Sequence, residues 1–278
     1  MAVTLMMGGE LDRLAATTDF AIDLTKRMKT SLKGVCALPD PATSVIYITG
    51  AETVVLGGTA VASMTEAQDK MIADYSEMFA AKSKAAGSWL QSEFTSERGS
   101  VAIHGAAANL VSDAFILPHE ATDSGHPLNP AFEHVLMEAG LPLVLAPAKP
   151  ESSDTCLIAW DGSPIAARAV KMHLPLIASY KKAVIAQNPD KLRHQWASAS
   201  AASAEHLVEL LHEQRMQVET VTLDGPVSDG LLKAAKTHDA SLIVMGAYGH
   251  MRIGELLFGG TTSKLLHSDD APALALSH

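Results

Sequence analysis

The chain contains few cysteines, and they do not cluster. Cys36 and Cys156 are the only two in 278 residues, and neither has a second Cys or a His at the spacing of metal ligands. This pattern argues against a disulfide framework and against a zinc knuckle. Because disulfides are rare in reducing compartments, their absence favours a cytoplasmic protein.

Segments typical of export or membrane insertion are also lacking. Residues 1–10 have neither the basic start nor the long apolar core of a signal peptide, so we expect no export. One rather apolar stretch, residues 44–62, contains Glu52 together with glycine, threonine and serine, which argues against a membrane span. We interpret this stretch as a loop or flap with some strand content, and we predict no membrane partner.

Positive charge is scarce. The chain has 21 Lys and Arg against 31 Asp and Glu, a formal net charge of −10, which argues against nonspecific binding to nucleic acid. Its 47% hydrophobic and 19% charged residues are typical of globular proteins, and its length is enough for two ordinary cores. We therefore expect two domains and no nucleic-acid partner.

The lysine of a phosphate loop is missing as well. Residues 254–261 have the glycine spacing of that motif, but Gly260 stands where the lysine is needed and no strand immediately precedes Gly254. Because the lysine and a second strand with a metal-binding acidic residue are both missing, efficient phosphoryl transfer is not predicted. The chain also lacks the His-x-Gly-His and Ser-Gly-Gly-x-Asp-Ser signatures of adenylyl transfer.

A weak internal repeat is present, with a period of about half the chain. Residues 112–117 and 240–245 are matching apolar runs, and each is followed by a helical stretch and a proline-containing strand, 140–147 or 270–277. Apolar runs alternate with helical periodicity, which predicts parallel sheets covered on both faces. The predicted fold is α/β, with two tandem doubly wound five-stranded parallel sheets of Rossmann-like type.

The predicted domains are residues 1–148 and 154–278, joined by a short polar linker. The first carries an insertion, residues 39–63, between a strand over Gly34–Leu38 and a helix over Thr65–Lys84. In the second, we predict strands over 155–160, 182–187, 217–223, 241–248 and 272–277, and helices over 164–179, 196–215 and 226–236.

The strongest positive signal is a glycine pattern behind the apolar run 241–245. Gly246 and Gly249 have two residues between them, and Gly259 follows after nine more, directly before Gly260, Thr261 and Thr262. Closely spaced glycines at a strand end let backbone N–H groups approach a phosphate. The pattern therefore predicts a nucleotide site.

A second loop is predicted to join this site. In an open parallel sheet, ligands bind beyond the carboxyl ends of neighbouring strands, so Ala159, Trp160 and Asp161 are expected beside Met245 and Gly246. Asp161 would face a ribose hydroxyl or the phosphate region. Purely structural roles stay open, because residues 161–164 also form a good turn and helix N-cap, and the glycines would also serve to turn the chain. The adjacent His250 is equally a phosphate contact or a surface residue.

Residues 154–278 resemble a universal stress protein domain. The ATP-binding members of that family carry the Gly-two-Gly-nine-Gly pattern, followed by Ser or Thr, after strand four, and an Asp at the end of strand one. Gly246, Gly249, Gly259 and Asp161 match, whereas Gly260 departs from the Ser or Thr. The resemblance implies binding of ATP, ADP or AMP, with or without magnesium, and places Gln187 in the adenine pocket.

The whole chain is similar to a tandem universal stress protein. The first half lacks the glycine pair and the Asp, so the resemblance implies a degenerate domain that pairs with the second through the last strands, forming an internal pseudo-dimer. A homodimer is an alternative assembly. The implied function is a nucleotide-dependent stress or signalling module; the alternatives are a slow ATP hydrolase using the same pocket and a nucleotide-free interaction protein.

No catalytic residue and no metal site are predicted. The first half does contain His119, His126 and His134 with Glu120 and Asp123, but their spacing is loose and follows no single helical face.

Overall fold

The first half of the chain alternates strands and helices. The computed structural model describes residues 2–44, 54–192, 204–247, 260–268 and 270–278. The strands are β1 (Ala2–Met7), β2 (Ser31–Leu38), β3 (Ser92–Arg98), β4 (Ala114–Pro118) and β5 (Leu143–Ala146). The helices are α1 (Leu11–Met28), α2 (Val54–Ala86), α3 (Val101–Asn109) and α4 (Asn129–Glu133), the last continuing as a π-helical turn over His134–Glu138.

The second half repeats this order. Its strands are β6 (Thr155–Ala159), β7 (Lys182–Gln187), β8 (Gln217–Thr222), β9 (Ala240–Gly246) and β10 (Ala273–Ser277). Its described helices are α5 (Pro164–Met172), α6 (Leu174–Ile177), α7 (Ala204–Glu213), α8 (Val227–Thr237) and α9 (Gly260–Leu266). The alternation predicted from the apolar periodicity is therefore confirmed.

The ten strands of the described residues form one sheet, in the order β3-β2-β1-β4-β5-β10-β9-β6-β7-β8. Neighbouring strands are parallel within each half, while β5 and β10 pair antiparallel, with Leu145 opposite Leu274 and Leu143 opposite Leu276. The two predicted five-stranded sheets are thus joined into a single sheet. The predicted pairing of the halves through their last strands is present, and β10 lies in the middle of the sheet rather than at an edge.

The central strands are buried on both faces, as expected for a parallel sheet between helices. In β1 and β10 every residue is buried. One apolar cluster extends across both halves on each side of the sheet. The halves therefore share a continuous core.

Arg27, on the last turn of α1, adds a polar contact between the halves. Its guanidinium lies 3.2 Å from Asp154 and 4.4 Å from the centre of the Tyr180 ring. Lys181 binds the same carboxylate, and the pKa of Asp154 is lowered by hydrogen bonds from Lys181 and Arg27. A side chain of the first half is thus bonded to the start of the second.

Two sequence predictions are corrected here. Residues 54–63 belong to helix α2 and are not a loop or flap with strand content, because a formed helix adds a hydrogen bond with each further residue. Residues 41–44 form a helical turn, and residues 45–53 lie outside the described part. The predicted helix 164–179 is divided at His173, because Pro175 has no N–H to donate to the preceding turn.

Among the described residues, no helix is both long enough and apolar enough to cross a membrane. The predicted helix 196–215 begins outside the described residues and is seen from Ala204.

Candidate functional site

The ends of β6 and β9 lie side by side, as the sequence predicted. The two strands are parallel, with Cys156 opposite Leu242 and Ile158 opposite Val244, so their carboxyl ends meet at the same edge of the sheet. The ladder between β6 and β7 extends one residue further, since the N–H of Trp160 donates to the carbonyl of Ala186 over 3.0 Å. This edge is where an open parallel sheet binds ligands.

The turn that follows β6 is held by its own hydrogen bonds. A carboxylate oxygen of Asp161 accepts from the N–H of Ser163 at 2.9 Å, and Gly162 has a φ of 73°. The Ser163 hydroxyl accepts from the N–H of Ala166, so it caps α5, and Pro164 occupies the first helical position. The structural role foreseen for these residues is confirmed, and it fixes Asp161, which is half-buried, at the strand end.

Gly246 has a packing role that the sequence did not reveal. A Cβ at this position would lie 2.5 Å from Cγ2 of Ile165 and 3.0 Å from the carbonyl carbon of the same residue. The start of α5 therefore approaches the end of β9 so closely that any residue larger than glycine would displace it. The glycine brings the Asp161 turn and the end of β9 into direct proximity.

The predicted site residues at the strand ends are buried or half-buried. The side chains of Trp160 and Met245 are buried in the apolar clusters on opposite faces of the sheet. The indole N–H of Trp160 has no hydrogen-bond partner within the described residues. Ala159 and Gln187 are half-buried, and the carbonyl of Gln187 accepts from the N–H of Leu223 at 2.7 Å.

The third component of the predicted site, helix α9, is described from Gly260. Because β9 and β10 are parallel neighbours, the helix that connects them runs opposite to the strands, and its first described residues lie toward their carboxyl ends. Gly260 is exposed with a φ of 79°, Thr261 is half-buried and Thr262 is buried. The predicted residues Gly249, His250 and Gly259 lie outside the described residues.

At the corresponding edge of the first half, side chains of the chain itself lie against the two glycines that follow β1. A Cβ on Gly8 would lie 2.8 Å from the Leu128 side chain, and a Cβ on Gly9 would lie 2.6 Å from the His126 ring. The Tyr75 hydroxyl donates to the carbonyl of Gly9 at 2.5 Å. Burial lowers the pKa of His126, while Glu120 and Asp123 act in the opposite direction. Side chains from α2 and from the segment after β4 thus cover the end of β1.

One positioning residue was missed from the sequence. The amide of Asn188, directly after β7, donates to the carbonyl of Gly225 at 3.1 Å, while its oxygen accepts from the N–H of Asp190 at 3.0 Å. Asn188 therefore links the loops that follow β7 and β8. The Asn-Pro pair at 188–189 is a turn signal that points to this role.

Comparison with known proteins relates the second half of the chain to a known family. The model of the universal stress protein family matches residues 153–276. A universal stress protein of Synechocystis is 24% identical over 152 residues, which are 54% of this chain and 51% of that protein. The match thus spans about half the length of the relative.

Solved structures share the whole fold. A universal stress protein from Archaeoglobus fulgidus is 13% identical and has a TM-score of 0.65, covering 99% of this chain and 95% of its own. A putative universal stress protein from Pseudomonas aeruginosa is 12% identical with a TM-score of 0.51, covering 99% and 92%. At such identities the likeness shows the fold, whereas the family model matches the sequence itself. Residues 153–276 therefore match the universal stress protein family, and the whole chain shares the fold of solved universal stress proteins.

Proposed function

We propose that the second half binds ATP or a related adenine nucleotide, and that the protein is a tandem, cytoplasmic stress-response module regulated by this ligand. The observation that carries the proposal is the placement of the Asp161 turn directly against Gly246, at the ends of adjacent parallel strands. This crevice is where doubly wound sheets bind nucleotides. The glycine pattern after β9 supplies the second support.

Each described component has a role in this proposal. The carboxylate of Asp161 accepts a hydrogen bond from ribose or base, and the backbone at Gly246 approaches the sugar. Gly260 supplies a backbone N–H and Thr261 a hydroxyl to the phosphates. Thr261 thus replaces the Ser or Thr that the family carries at the position of Gly260. Magnesium, when present, would be held largely by the phosphates.

The first half serves as a structural partner in this proposal, with a degenerate domain over residues 1–148 and the nucleotide domain over 154–278. The support is that the first half lacks the glycine pair and the Asp at its strand ends, and that Leu128, His126 and Tyr75 lie against Gly8 and Gly9. A stoichiometry of one nucleotide per chain is therefore expected.

The direct experiment is to denature freshly purified protein and identify the released small molecule by mass spectrometry. Release of ATP at about one per chain would support a binding module without rapid turnover. Finding ADP or AMP would call for a hydrolysis assay. If no nucleotide is released and calorimetry with ATP, AMP and cAMP, with and without magnesium, shows no heat, the proposal is wrong and a nucleotide-free interaction protein takes its place.

A matched pair of variants tests the site itself. Asp161→Asn keeps an oxygen for the Ser163 N–H and removes only the charge, so we expect about tenfold weaker nucleotide binding with an unchanged melting temperature. Glu10→Gln removes a carboxylate at the equivalent end of β1 and should leave affinity unchanged. Equal affinities in all three proteins would contradict the assignment of Asp161.

Hydrolysis is the competing activity, and it requires a base near the phosphates. One oxygen of Asp161 is bonded to the Ser163 N–H, which favours a positioning role over proton abstraction. We therefore expect ATP to remain intact on incubation with the protein. Steady release of inorganic phosphate that is lost in Asp161→Asn would favour the hydrolase instead.

A further inference from the structure

The outer face of α3 is an exposed apolar stripe. Ile103, Leu110 and Val111 are 63%, 71% and 69% exposed, and the exposed Ala107 lies between them. The positions are i, i+4, i+7 and i+8, so they share one side of the helix and its C-terminal extension. Contiguous exposed apolar surface of this kind marks interaction sites more often than isolated exposed residues do.

The second half provides an internal reference for this helix. Residues 98–118 align with 224–244 without a gap, since α3 and α8 start at Val101 and Val227, and β4 and β9 start at Ala114 and Ala240. The positions equivalent to Ile103, Ala107, Leu110 and Val111 are Asp229, Lys233, Lys236 and Thr237, and all four are exposed. The same structural face is therefore polar and charged in one half and apolar in the other. Packing within the fold does not require the apolar residues.

The edges of the sheet offer no comparable surface. The edge strands β3 and β8 are mostly exposed and carry Glu93, Glu97 and Glu219. Charged side chains of this type protect a sheet edge from pairing with another chain. The last strands of the halves, β5 and β10, are already paired with each other. Association through strands is thus disfavoured, and the apolar stripe remains.

Charge indicates which partner fits the stripe. Residues 100–112 contain no Asp, Glu, Lys or Arg, although the chain carries a net charge of −10. In a two-fold symmetric contact each residue meets its own copy or a near neighbour, so any charge there would face its like. A charge-free stripe suits such a contact, whereas an anionic membrane surface would repel this acidic chain.

We propose that two copies of this chain associate through the α3 stripe, related by a two-fold axis near Ala107. The small side chain lets the two helices approach to about 8–10 Å, and Ile103 of one copy then packs against Leu110 and Val111 of the other. A stable dimer buries about 800 Å² per partner, which is more than one stripe supplies. The association is therefore reversible, with exchange between monomer and dimer.

Sedimentation of the full chain tests the proposal, over roughly 1–100 µM. The average mass should rise with concentration from the monomer value of 29.3 kDa. Ile103→Asp, which introduces the residue found at the equivalent position of α8, should weaken association by at least about thirtyfold. Because Ile103 is exposed, this variant should fold normally, as checked by circular dichroism. A monomer at every concentration, or a dimer unaffected by Ile103→Asp, would overturn the proposal.

Cysteine cross-linking provides a second readout with a matched control. Ala107→Cys places a thiol beside the proposed axis, while Lys233→Cys places one at the equivalent position of α8, and the native Cys36 and Cys156 are buried. Under mild oxidation, Ala107→Cys should form disulfide-linked dimers several times faster than Lys233→Cys. Equal rates, or a monomeric chain that instead floats with anionic phospholipid vesicles, would overturn the proposal.

Discussion

Replacing Gly246 with alanine should destabilise the fold by about 2 kcal/mol, whether or not a nucleotide is bound. The new Cβ would lie 2.5 Å from Cγ2 of Ile165, 3.0 Å from the carbonyl carbon of Ile165 and 3.2 Å from the nitrogen of Ala166. Non-bonded carbon atoms pack at about 3.5–4.0 Å, so the start of α5 must move by up to about 1 Å. Overpacking of this size costs about 1–3 kcal/mol, and a loss of about 2 kcal/mol lowers the melting temperature by roughly 4–8 °C in a chain of this length.

The part of this cost that comes from the Ile165 side chain can be measured by making Gly246→Ala in an Ile165→Ala background. That change removes Cγ2 and leaves the backbone atoms, so we expect the cost of Gly246→Ala to fall by about 1 kcal/mol without vanishing. Gly140→Ala is the control, because Gly140 has a φ of 61° and no atom within 4 Å of its would-be Cβ. Its cost comes from the backbone alone and should be the same in both backgrounds. Urea and thermal unfolding give these values, and an equal cost of Gly246→Ala in both backgrounds would refute the packing explanation.

Two further predictions concern the contacts of Arg27 between the halves and the effect of His173 on stability at low pH. Arg27→Ala should lower the free energy of unfolding in urea by about 1–2 kcal/mol, because the Arg27 side chain is only 12% exposed and contacts both Asp154 and Tyr180. Lys82→Ala breaks a more exposed pair with Asp19 and should cost less than about 0.5 kcal/mol. Equal losses in the two variants would contradict a stabilising role of the Arg27 contacts. Burial lowers the pKa of His173 to about 4, and its ring bonds the carbonyl of Leu276. The unfolded chain, with an ordinary pKa of about 6.5, binds the proton first, so this histidine destabilises the fold by up to about 3 kcal/mol as pH falls from about 6.5 to about 4. His173→Gln should flatten the pH profile of the melting temperature over that range, and parallel profiles would disprove the assignment.

Much of the fold was predictable because the signals are local. The continuous apolar runs over 155–160 and 182–187 predict buried strands, and both are present at nearly those bounds. Ser163 and Pro164 predict a helix start, and the hydrogen bond to Ala166 confirms it. The extension of α2 to Val54 was missed because its first turns contain valines and glycines, which favour other conformations.

The candidate site was predictable in composition but not in its packing. The adjacency of the Asp161 turn and Gly246 follows from the strand order expected for a doubly wound sheet. The close approach of Ile165 to Gly246 depends on where α5 lies across the sheet, which no short stretch of sequence specifies. For the same reason, the core positions of Trp160 and Met245 became known only from the structure.

The sequence by itself determined the alternation of elements, the repeat of one half by the other and the glycine pattern that indicates a nucleotide, since all of these depend on residues close together in the chain. The tertiary structure decided that β5 and β10 join two sheets into one, that Leu128 and His126 cover the strand ends of the first half, and that the apolar face of α3 is left uncovered. These features depend on whether residues far apart in the sequence come into contact, and short sequence patterns do not predict such contacts.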